Sequence, residues 1–271
     1  MSQIVLITGC STGIGRNLAE RLSRMGYTVV ATARRAETLD RLTVALKLSL
    51  DVTRTESVRQ AVTGILERFG RIDVLVNNAG YALRGAVEEV PVEQAQQMFD
   101  ANVFGVMRMI QAVLPCMRRQ KSGRIINISS VVGRLVIPAN GTYAATKFAL
   151  EALSDAMRLE LAPFGIQVIV VEPGSIRTRF HATMQANAQA IFSDPLSPYQ
   201  PLYRQYEQVD AGMRSQESGP EAVSQVVQLA MEAPHPRARY IAGFPLSGRL
   251  VLQLGDPVWD LVVRQMFRIA S

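Results

Sequence analysis

The sequence predicts a single α/β domain over residues 1–271, built on a doubly wound, seven-stranded parallel sheet flanked by helices. Three observations support this prediction. Short apolar runs, typical of buried parallel strands, alternate with helical patterns from residue 3 to about residue 172. No repeat or linker interrupts the alternation. The chain of 271 residues is 48 % hydrophobic and 19 % charged, which is typical of a globular protein with a substantial core.

Seven apolar runs are predicted strands, and the stretches between them are mostly predicted helices. The strands are expected at residues 3–8, 27–33, 46–50, 72–76, 123–129, 168–172 and 239–242. A helix follows the first strand, and another is expected over about residues 36–45. Residues 53–70 are helical and amphipathic, with Thr53 or Thr55 as the N-terminal cap. Pro91 opens a further helical region.

A glycine-rich turn joins the first strand to the first helix. Gly9 permits the tight turn, and Gly13 and Gly15 allow a pyrophosphate and the helix to approach the backbone closely. The N–H groups at the start of the helix, together with its dipole, favour a phosphate there. Because the glycines lie between a strand and a helix, they predict a dinucleotide site.

The end of the second strand indicates which dinucleotide would bind. In a dinucleotide-binding fold an acidic residue at this strand end holds a free ribose 2′-hydroxyl, whereas an arginine accommodates a 2′-phosphate. Arg34 and Arg35 follow the strand, and no Asp or Glu occurs between Thr28 and Ala36. NADP(H) is therefore favoured over NAD(H), although both arginines would also suit an ordinary helix surface.

Polar residues follow the third and fourth strands as well. Asp51 suits either a cap for the next helix or a contact with an adenine edge. The Asn-Asn-Ala-Gly stretch at 77–80 suits close passage of a cofactor ribose, or simply a tight turn. Asn102 lies among apolar residues at helical spacing, where a buried amide must be hydrogen-bonded. It is expected to bend the helix or to hold a water molecule.

The acid–base residues are expected between Ser130 and Lys147. Tyr143 and Lys147 lie four residues apart on a predicted helix, so their side chains share one face. An ammonium group beside a phenol favours the phenolate and would lower the pKa of the tyrosine toward neutral pH. Ser130 ends the fifth strand and is placed to hydrogen-bond a substrate oxygen. Because this spacing alone is usual for a solvated surface pair, the interpretation depends on the motifs that precede it.

Two C-terminal segments have weaker patterns. Residues 175–220 are only weakly helical and follow the carboxyl end of a strand, where ligands bind in such sheets, so they are predicted to form a substrate lid. The final segment, from residue 247, mixes large apolar residues with arginine. It is expected to pack on the core or on a second subunit, with peripheral contact to a membrane as an alternative.

Charge, cysteine content and hydropathy narrow the function classes. The formal charge of +6 comes largely from scattered arginines, which fits solubility and an anionic cofactor better than nucleic acid. Two cysteines and two histidines, set far apart, predict neither a metal site nor a disulfide. No run of 18 apolar residues predicts a transmembrane segment, and no signal peptide is evident, so a cytoplasmic location is expected.

Together these residues resemble the classical short-chain dehydrogenase/reductase family. The motifs occur in family order over about residues 3–180, and no motif position departs from the family pattern. They are Thr8-Gly9-x-x-x-Gly13-Ile14-Gly15, Asp51, Asn77-Asn78-Ala79-Gly80, Asn102, Ser130, Tyr143-x-x-x-Lys147, and Pro173-Gly174 with Thr178. The C-terminal portion is most similar to hydroxysteroid and retinol dehydrogenase relatives.

The resemblance implies a Rossmann fold with strand order 3-2-1-4-5-6-7 and hydride transfer with a nicotinamide dinucleotide. It implies that Tyr143 donates or accepts a proton and that Lys147 lowers the pKa of Tyr143 and binds the nicotinamide ribose. It further implies that Ser130 holds the substrate oxygen and that Asn102 anchors a water linked to Lys147. The implied cofactor-binding residues are Gly9, Ser11, Thr12, Gly13, Ile14, Arg34, Asp51, Val52, Asn78, Ala79, Gly80, Tyr143, Lys147, Pro173, Gly174, Ile176 and Thr178.

The expected activity is NADP(H)-dependent interconversion of an alcohol with a ketone or aldehyde on a hydrophobic substrate such as a steroid, retinoid or lipid. Apolar residues expected near the mouth of the site support this class: Leu83, Val132, Leu135, Ile137, Phe180, Met184, Ile191 and Phe192. One alternative is a reductase of carrier-linked acyl chains, for which the basic surface would serve as a docking site.

A second alternative is a non-catalytic dinucleotide-binding regulator, against which the intact Ser130, Tyr143 and Lys147 argue. The apolar helices at 100–118 and 142–162 predict a homodimer or homotetramer interface, as in the relatives.

Overall fold

The computed structural model describes residues 2–215, 217–245, 248 and 256–268. Its centre is a seven-stranded sheet with the order β3-β2-β1-β4-β5-β6-β7, in which all neighbouring strands are parallel. The strands are β1 (Ile4–Ile7), β2 (Thr28–Ala33), β3 (Leu46–Ser49), β4 (Val74–Asn77), β5 (Gly123–Ile128), β6 (Ile166–Pro173) and β7 (Arg239–Ala242). The predicted fold class and strand order are confirmed.

Helices cover both faces of the sheet. They are α1 (Gly13–Arg24), α2 (Thr55–Phe69), α3 (Val92–Phe99), α4 (Gly105–Gln120), α5 (Gly141–Leu161), α6 (Arg179–Phe192), α7 (Gln200–Arg214), α8 (Pro220–Glu232) and α9 (Asp256–Phe267). Residues of α1 and α8 pack on one face, and residues of α2, α4 and α5 pack on the other. Successive strand residues point to opposite faces, so Val5 and Ile7 lie in the first core while Ile4 and Leu6 lie in the second.

The connection between β2 and β3 differs from the prediction. Residues 36–45 form no α-helix, and a single 3-10 turn over Ala36–Leu39 leads toward β3. Leu39 and Leu42 are both buried in the core of the α1 face. Their spacing of three residues suits this tight turn as well as it suits a helix, which explains the error.

The predicted cap of α2 is also wrong. The residue at the cap position is Arg54, and it makes no side-chain capping hydrogen bond. Thr53 instead donates from its N and Oγ1 atoms to Asp51 Oδ1, at 3.0 and 2.7 Å. Asp51 therefore closes the turn that precedes α2, and this short-range pairing competes with capping.

The segment after β6 contains two well-formed helices, α6 and α7, where the sequence shows only a weak helical pattern. Tyr203 and Tyr206 of α7 are buried in a third apolar cluster together with Phe267 of α9. Trp259 of α9 donates from Nε1 to the carbonyl oxygen of Val136 at 2.6 Å. The prediction that the final segment packs on the core is thus confirmed for residues 256–268, and its other residues, apart from Gly248, lie outside the described part of the chain.

Within the described ranges, no helix is long and apolar enough to cross a membrane.

Candidate active site

The predicted dinucleotide residues meet where the strand order reverses. β1 lies between β2 and β4; α1 follows β1 and packs on one face of the sheet, and α4, the second helix after β4, packs on the other. This reversal opens a crevice at the carboxyl ends of the two strands, which is where open α/β sheets bind their ligands.

Two glycines bring the turn after β1 against the loop after β4. Gly9 has a φ of +74°, and a Cβ atom there would lie 2.9 Å from Ala79 Cα. A Cβ atom at Gly15 would lie 2.4 Å from both Asn78 Nδ2 and the Gly9 carbonyl oxygen. Neither position has room for a side chain, so the sequence keeps glycine where two backbones touch.

Thr8 fixes the same corner, although it is absent from the predicted cofactor contacts. Its Oγ1 accepts hydrogen bonds from the N atoms of Asn78 and Ala79, both at 3.0 Å. Asn78 donates in return from Nδ2 to the carbonyl oxygens of Thr8 and Gly9, at 2.9 and 3.1 Å. The Asn78 side chain therefore holds the two loops of the crevice together. Its partner Thr8 could have been recognised in the sequence as the threonine directly before Gly9.

The start of α1 fits the diphosphate of a dinucleotide. Thr12 occupies the cap position without a side-chain capping bond, and the first turn contains no acidic residue. The first N–H groups of a helix left in this state, with the positive end of its dipole, favour an anion. Ser11, Gly13 and Ile14 lie half-buried around this end.

The loop after β6 closes the crevice from the far side. A Cβ atom at Gly13 would lie 3.2 Å from Thr178 Cβ, which places these two predicted residues in contact. Thr178 caps α6, since its Oγ1 accepts from Phe180 N at 3.2 Å. Gly174 follows Pro173 at the end of β6 and donates from N to the Ala242 carbonyl oxygen at 2.8 Å. Ile176 is buried two residues further on.

The adenosine side of the crevice carries the predicted arginines. Arg34 and Arg35 are both exposed directly after β2. Burial raises the pKa of Tyr81 in the loop after β4, and the positive charge of Arg34 opposes that rise. Asp51 lies half-buried after β3, and Val52 beside it is buried.

Ser130 and Tyr143 bring two hydroxyl groups together at the floor of the site. Ser130 follows β5, and its Oγ accepts from Val132 N and donates to the Pro173 carbonyl oxygen, both at 3.3 Å. Tyr143 lies in the first turn of α5 and is buried. Burial raises the pKa of Tyr143, while a hydrogen bond with Ser130 and the charge of Arg84 oppose the rise.

Lys147 shares the buried face of α5 with Tyr143, as the spacing predicts. Its Nζ lies 5.8 Å from the centroid of the Tyr143 ring and donates to the Ile128 carbonyl oxygen at 2.9 Å. Burial lowers the pKa of Lys147 to about 8, and the charge of Glu151 opposes that change. The expected lowering of the Tyr143 pKa is therefore not what the structure shows. The phenol is desolvated, and the ammonium is bound to a carbonyl oxygen.

Asn102 interrupts a long helical stretch, as the sequence suggests. It lies in a π-helical turn, Asp100–Phe104, between α3 and α4. Its Nδ2 donates to the Tyr81 carbonyl oxygen at 2.8 Å and to Thr146 Oγ1 at 3.1 Å, and its Oδ1 accepts from Tyr81 N at 3.0 Å. The same Oδ1 would lie 2.8 Å from a Cβ atom at Gly80. The amide thus joins the loop after β4 to α5, and π-turns of this kind are common at functional sites.

A cluster of apolar side chains packs around Tyr143. Five of the predicted mouth residues pack in one cluster with Tyr143, namely Leu83, Val132, Phe180, Met184 and Ile191. The ring centroids of Phe180 and Tyr143 are 6.0 Å apart. Ile137 and Phe192 lie instead in the cluster around α7, and Leu135 is buried.

The sequence did not predict a role for Arg84, a charged residue that follows Leu83 of this cluster. It is 7 % exposed, and its Nη1 donates to Asp210 Oδ1 at 2.9 Å. Its guanidinium lies 4.7 Å from the centroid of the Tyr206 ring. Arg214 shares the same carboxylate through a 2.8 Å bond from Nε to Asp210 Oδ2. The position of Arg84, a single arginine among apolar and small residues after β4, was the sequence feature that could have indicated a buried charge.

Among residues 2–215, 217–245, 248 and 256–268, no group of three or more His, Cys, Asp or Glu side chains is placed to hold a metal ion. Two hydroxyl groups and an ammonium group lie instead beside a crevice that fits a dinucleotide. This arrangement suits proton transfer to or from a substrate oxygen, coupled to hydride transfer. The fold and the site together define a dinucleotide-dependent oxidoreductase.

Comparison with known protein families identifies the family to which this oxidoreductase belongs. The family model described as short chain dehydrogenase matches residues 3–189. The chain belongs to the short-chain dehydrogenase/reductase family and is an oxidoreductase of that family, which confirms the resemblance seen in its motifs.

Curated relatives include steroid, retinoid and sphingoid enzymes. The chain is 35 % identical over 280 residues to human 17-beta-hydroxysteroid dehydrogenase type 1, covering 98 % of this chain and 85 % of the relative. It is 36 % identical over 288 residues to human retinol dehydrogenase 8, covering 98 % and 89 %. A 3-ketodihydrosphingosine reductase of Bacteroides thetaiotaomicron is 46 % identical over 179 residues, a match that spans 66 % of this chain and 65 % of the relative.

Solved structures share the fold over nearly the whole chain. A short-chain dehydrogenase from Streptomyces avermitilis aligns with a TM-score of 0.78 and 34 % identity, covering 98 % of each chain. An alcohol dehydrogenase from the archaeon Thermococcus sibiricus, complexed with 5-hydroxy-NADP, aligns with a TM-score of 0.72 and 27 % identity, covering 89 % of this chain and 96 % of the other.

Proposed function

We propose that the protein is an NADP(H)-dependent oxidoreductase that interconverts a hydroxyl and a carbonyl group on a hydrophobic small molecule. The observation that carries this proposal is the pairing of the Ser130 and Tyr143 hydroxyl groups beneath an apolar cluster, beside the glycine-lined crevice. A nicotinamide dinucleotide, when bound in that crevice, supplies or accepts the hydride.

The protein's own residues handle the proton and the charge. In carbonyl reduction the Tyr143 hydroxyl gives its proton to the substrate oxygen, and Ser130 donates a hydrogen bond to the same oxygen, which stabilises the developing negative charge. Because burial disfavours the phenolate, the positive charges of Lys147 and Arg84 are needed nearby. In alcohol oxidation the same groups act in reverse. Asn102 joins the loop after β4 to α5 and so keeps these side chains in place.

Two features support NADP(H) over NAD(H). Arg34 and Arg35 present exposed positive charge at the end of β2, where the adenosine ribose would lie. No acidic residue between Thr28 and Ala36 is available to bind a free 2′-hydroxyl. The Thermococcus sibiricus relative, complexed with 5-hydroxy-NADP, is consistent with this choice.

We infer that the substrate is a steroid, a retinoid or a long-chain lipid. The residues around Tyr143 are apolar, and the names of the relatives include hydroxysteroid, retinol and ketodihydrosphingosine substrates. The helix α6 is the first helix of the proposed lid over residues 175–220. Phe180 and Met184 pack over Tyr143, and Asn187 donates from Nδ2 to the Ala82 carbonyl oxygen at 3.2 Å.

The first experiment is a fluorescence titration with NADPH and NADH, followed by turnover assays with ketosteroids, retinal and aliphatic ketones. We expect tighter binding of NADPH and turnover of one apolar carbonyl class. Tyr143→Phe should lower kcat by about 100-fold or more, because general acid catalysis contributes about 10²–10⁴-fold. Its NADPH affinity should stay within about threefold of the parent value, since the phenol is proposed to act on the substrate.

Tyr27→Phe is the matched control for that variant. Tyr27 directly precedes β2, and its hydroxyl lies 3.1 Å from Glu232. It is therefore at the amino ends of the strands, whereas the site is at their carboxyl ends. Full turnover by Tyr143→Phe would refute the assigned role. NADPH binding without turnover of any compound in the panel would refute the free apolar substrate and would leave a carrier-linked acyl substrate as the next to be assayed.

We further propose that the chain forms a homodimer or homotetramer through the side that carries α4 and α5. Large apolar side chains are exposed there: Phe104 is 48 % exposed, Phe148 43 % and Leu159 66 %. Exposed apolar patches commonly mark interfaces between proteins. Light scattering on the purified protein measures the mass and so checks this proposal.

A further inference from the structure

Directly behind the catalytic side chains lie two buried carboxyl groups and a half-buried arginine that the mechanism above does not use. Glu151 projects from α5, Glu172 from β6 and Arg239 from β7; we call these three residues the carboxylate cluster. Glu172 is 0 % exposed and Glu151 is 6 % exposed. Two buried carboxyl groups with one arginine between them are an unusual arrangement, since buried charges are normally paired one to one.

The contacts show that Arg239 favours Glu151 over Glu172. Arg239 Nε donates to Glu151 Oε2 at 3.0 Å and lies 3.4 Å from Glu172 Oε1. The guanidinium also donates from Nη2 to the more exposed Asp155 at 2.6 Å. Both oxygens of Glu172 are buried without a hydrogen-bond partner, while Arg134 Nη1 reaches only to 3.9 Å from Oε2. Glu172 is therefore the carboxyl group with the poorest support for a negative charge.

The charge balance leads to the same assignment. Burial, and after it the neighbouring charge of Glu151, raise the pKa of Glu172 to about 7 against the opposing charges of Arg134 and Arg239. Burial also raises the pKa of Glu151, but the charge of Arg239 and its hydrogen bond to Glu151 Oε2 oppose that rise. Two like charges this close share a proton, and the better-supported partner keeps its charge. We assign the proton to Glu172 and the negative charge to Glu151.

Glu151 is connected to the active site through Lys147. The two residues are one helical turn apart on α5, and both are buried. A Cβ atom at Gly133 would lie 2.9 Å from Ser129 Oγ, 3.2 Å from Glu151 Cγ and 3.3 Å from Lys147 Cβ. The three side chains therefore surround one point, immediately behind Ser130.

We propose that Glu151 is a positioning residue for the reaction, whose carboxylate keeps Lys147 protonated, and that Glu172 carries the cluster's proton so that Glu151 stays ionised. The mechanistic consequence rests on the proposed function, whereas the protonation assignment does not. Other charged groups around the cluster are Asp155 and Arg158 on α5, with Arg158 Nη2 3.5 Å from Asp155 Oδ1. These two side chains are substantially more exposed, so solvent screens their effect on Lys147.

The sign of the effect on Lys147 follows from the charges. Burial favours the neutral amine and the Glu151 carboxylate favours the ammonium, and together they give Lys147 a pKa of about 8. Removal of the carboxylate charge leaves burial unopposed, so the pKa of Lys147 falls. The ammonium is then lost at a lower pH, and the alkaline decline of carbonyl reduction moves to a lower pH with it.

The chain contains only three lysines, Lys47, Lys121 and Lys147, so the side-chain titration can be measured directly. Protein labelled with ¹³C-lysine gives three Cε signals, which Lys47→Arg and Lys121→Arg assign. We expect Glu151→Gln to shift the titration of Lys147 down by about one pH unit, a size usual for loss of one nearby charge. Glu172→Gln should leave the titration within about 0.3 unit of the parent, because the carboxylate that acts on Lys147 is Glu151 and not Glu172.

Asp155→Asn is the control, because it removes a partner of Arg239 that does not belong to the buried carboxyl pair. It should leave the titration of Lys147 unchanged. If Glu151→Gln does not fold, Glu151→Asp replaces it, since the charge then lies one methylene further from Lys147 and a smaller downward shift is expected. An unchanged Lys147 titration in the folded Glu151 variant overturns the proposal and leaves a structural ion cluster. Equal shifts in the Glu151 and Glu172 variants would show that both carboxyl groups act on Lys147, which overturns the specific role given to Glu151.

The pH dependence of kcat is then measured with the ketosteroid, retinal or aliphatic ketone that the parent enzyme turns over. The pH profile of kcat for Glu151→Gln should decline about one unit earlier than the parent profile, and Glu151→Asp should restore part of the range. The NMR titration requires no turnover, so failure of the proposed reaction would still leave this inference testable. A shifted Lys147 with an unchanged pH profile would show that Glu151 does not act through Lys147 in catalysis.

Discussion

The cofactor side of the site is made of backbone, whereas the substrate side is made of side chains. On the cofactor side Gly9 and Gly15 lie against Ala79 and Asn78 at distances where no Cβ atom fits. On the substrate side the wall is a packed set of apolar residues around Tyr143, and the buried ion pair of Arg84 and Asp210 lies beside it. A backbone wall tolerates almost no substitution, while a side-chain wall can be replaced by other groups of similar volume.

The largest effect is expected on the substrate side, at Asp210. Asp210→Asn leaves Arg84 buried without a counter-charge, so we expect the free energy of unfolding to fall by about 3–5 kcal/mol. Urea denaturation measures this change. Glu20→Gln is the control: it breaks the exposed Arg16–Glu20 pair and should cost at most about 1 kcal/mol.

A double variant tests whether this wall is replaceable. Arg84→Met combined with Asp210→Leu removes both charges at once, and such replacements are often neutral or stabilising. We expect it to recover most of the lost stability. If the single variant is as stable as Glu20→Gln, or if the double variant is as unstable as Asp210→Asn, the substrate wall depends on something other than the ion pair.

The difference between the walls also explains what the sequence could predict. Continuous apolar runs identify the strands because a parallel sheet is buried on both faces. The glycine turn is visible because no other residue fits, and Tyr143 and Lys147 are visible because their spacing matches one helical face. These features depend on neighbours in sequence, so the fold class, strand order and clustering of these residues could be inferred.

The remaining features depend on residues far apart in the chain. Arg84 and Asp210 are separated by 126 positions and Glu151 and Arg239 by 88, so no local pattern pairs them. The direction of the Tyr143 pKa shift has the same origin, because burial under α6 decides it. The turn at 36–39 was mistaken for part of a helix because apolar residues three apart suit both structures.

A smaller effect is expected on the cofactor side, at Gly15. Gly15→Ala places a Cβ atom 2.4 Å from the Gly9 carbonyl oxygen, so the turn must shift. We expect NADPH to bind at least about 30-fold more weakly, roughly 2 kcal/mol, measured by fluorescence titration. Gly64→Ala is the control, because a Cβ atom at that position in α2 meets nothing within 4 Å. It should leave NADPH affinity unchanged and stabilise the protein by about 0.5–1 kcal/mol. Parental affinity in Gly15→Ala would show that the crevice is not a rigid backbone wall.

The smallest effect is expected at Arg34, where the cofactor side does use side chains. Arg34→Asp should shift the ratio of kcat/KM for NADPH over NADH by about tenfold or more toward NADH, because a carboxylate repels the 2′-phosphate and accepts a hydrogen bond from a free 2′-hydroxyl. Arg35→Asp is the matched control, since both arginines are exposed and adjacent. A larger shift in Arg35→Asp would assign phosphate recognition to Arg35. An unchanged ratio in both variants would mean that the exposed arginines do not read the ribose. Cofactor choice would then depend on the backbone of the cofactor side, and only the substrate side would use side chains for recognition.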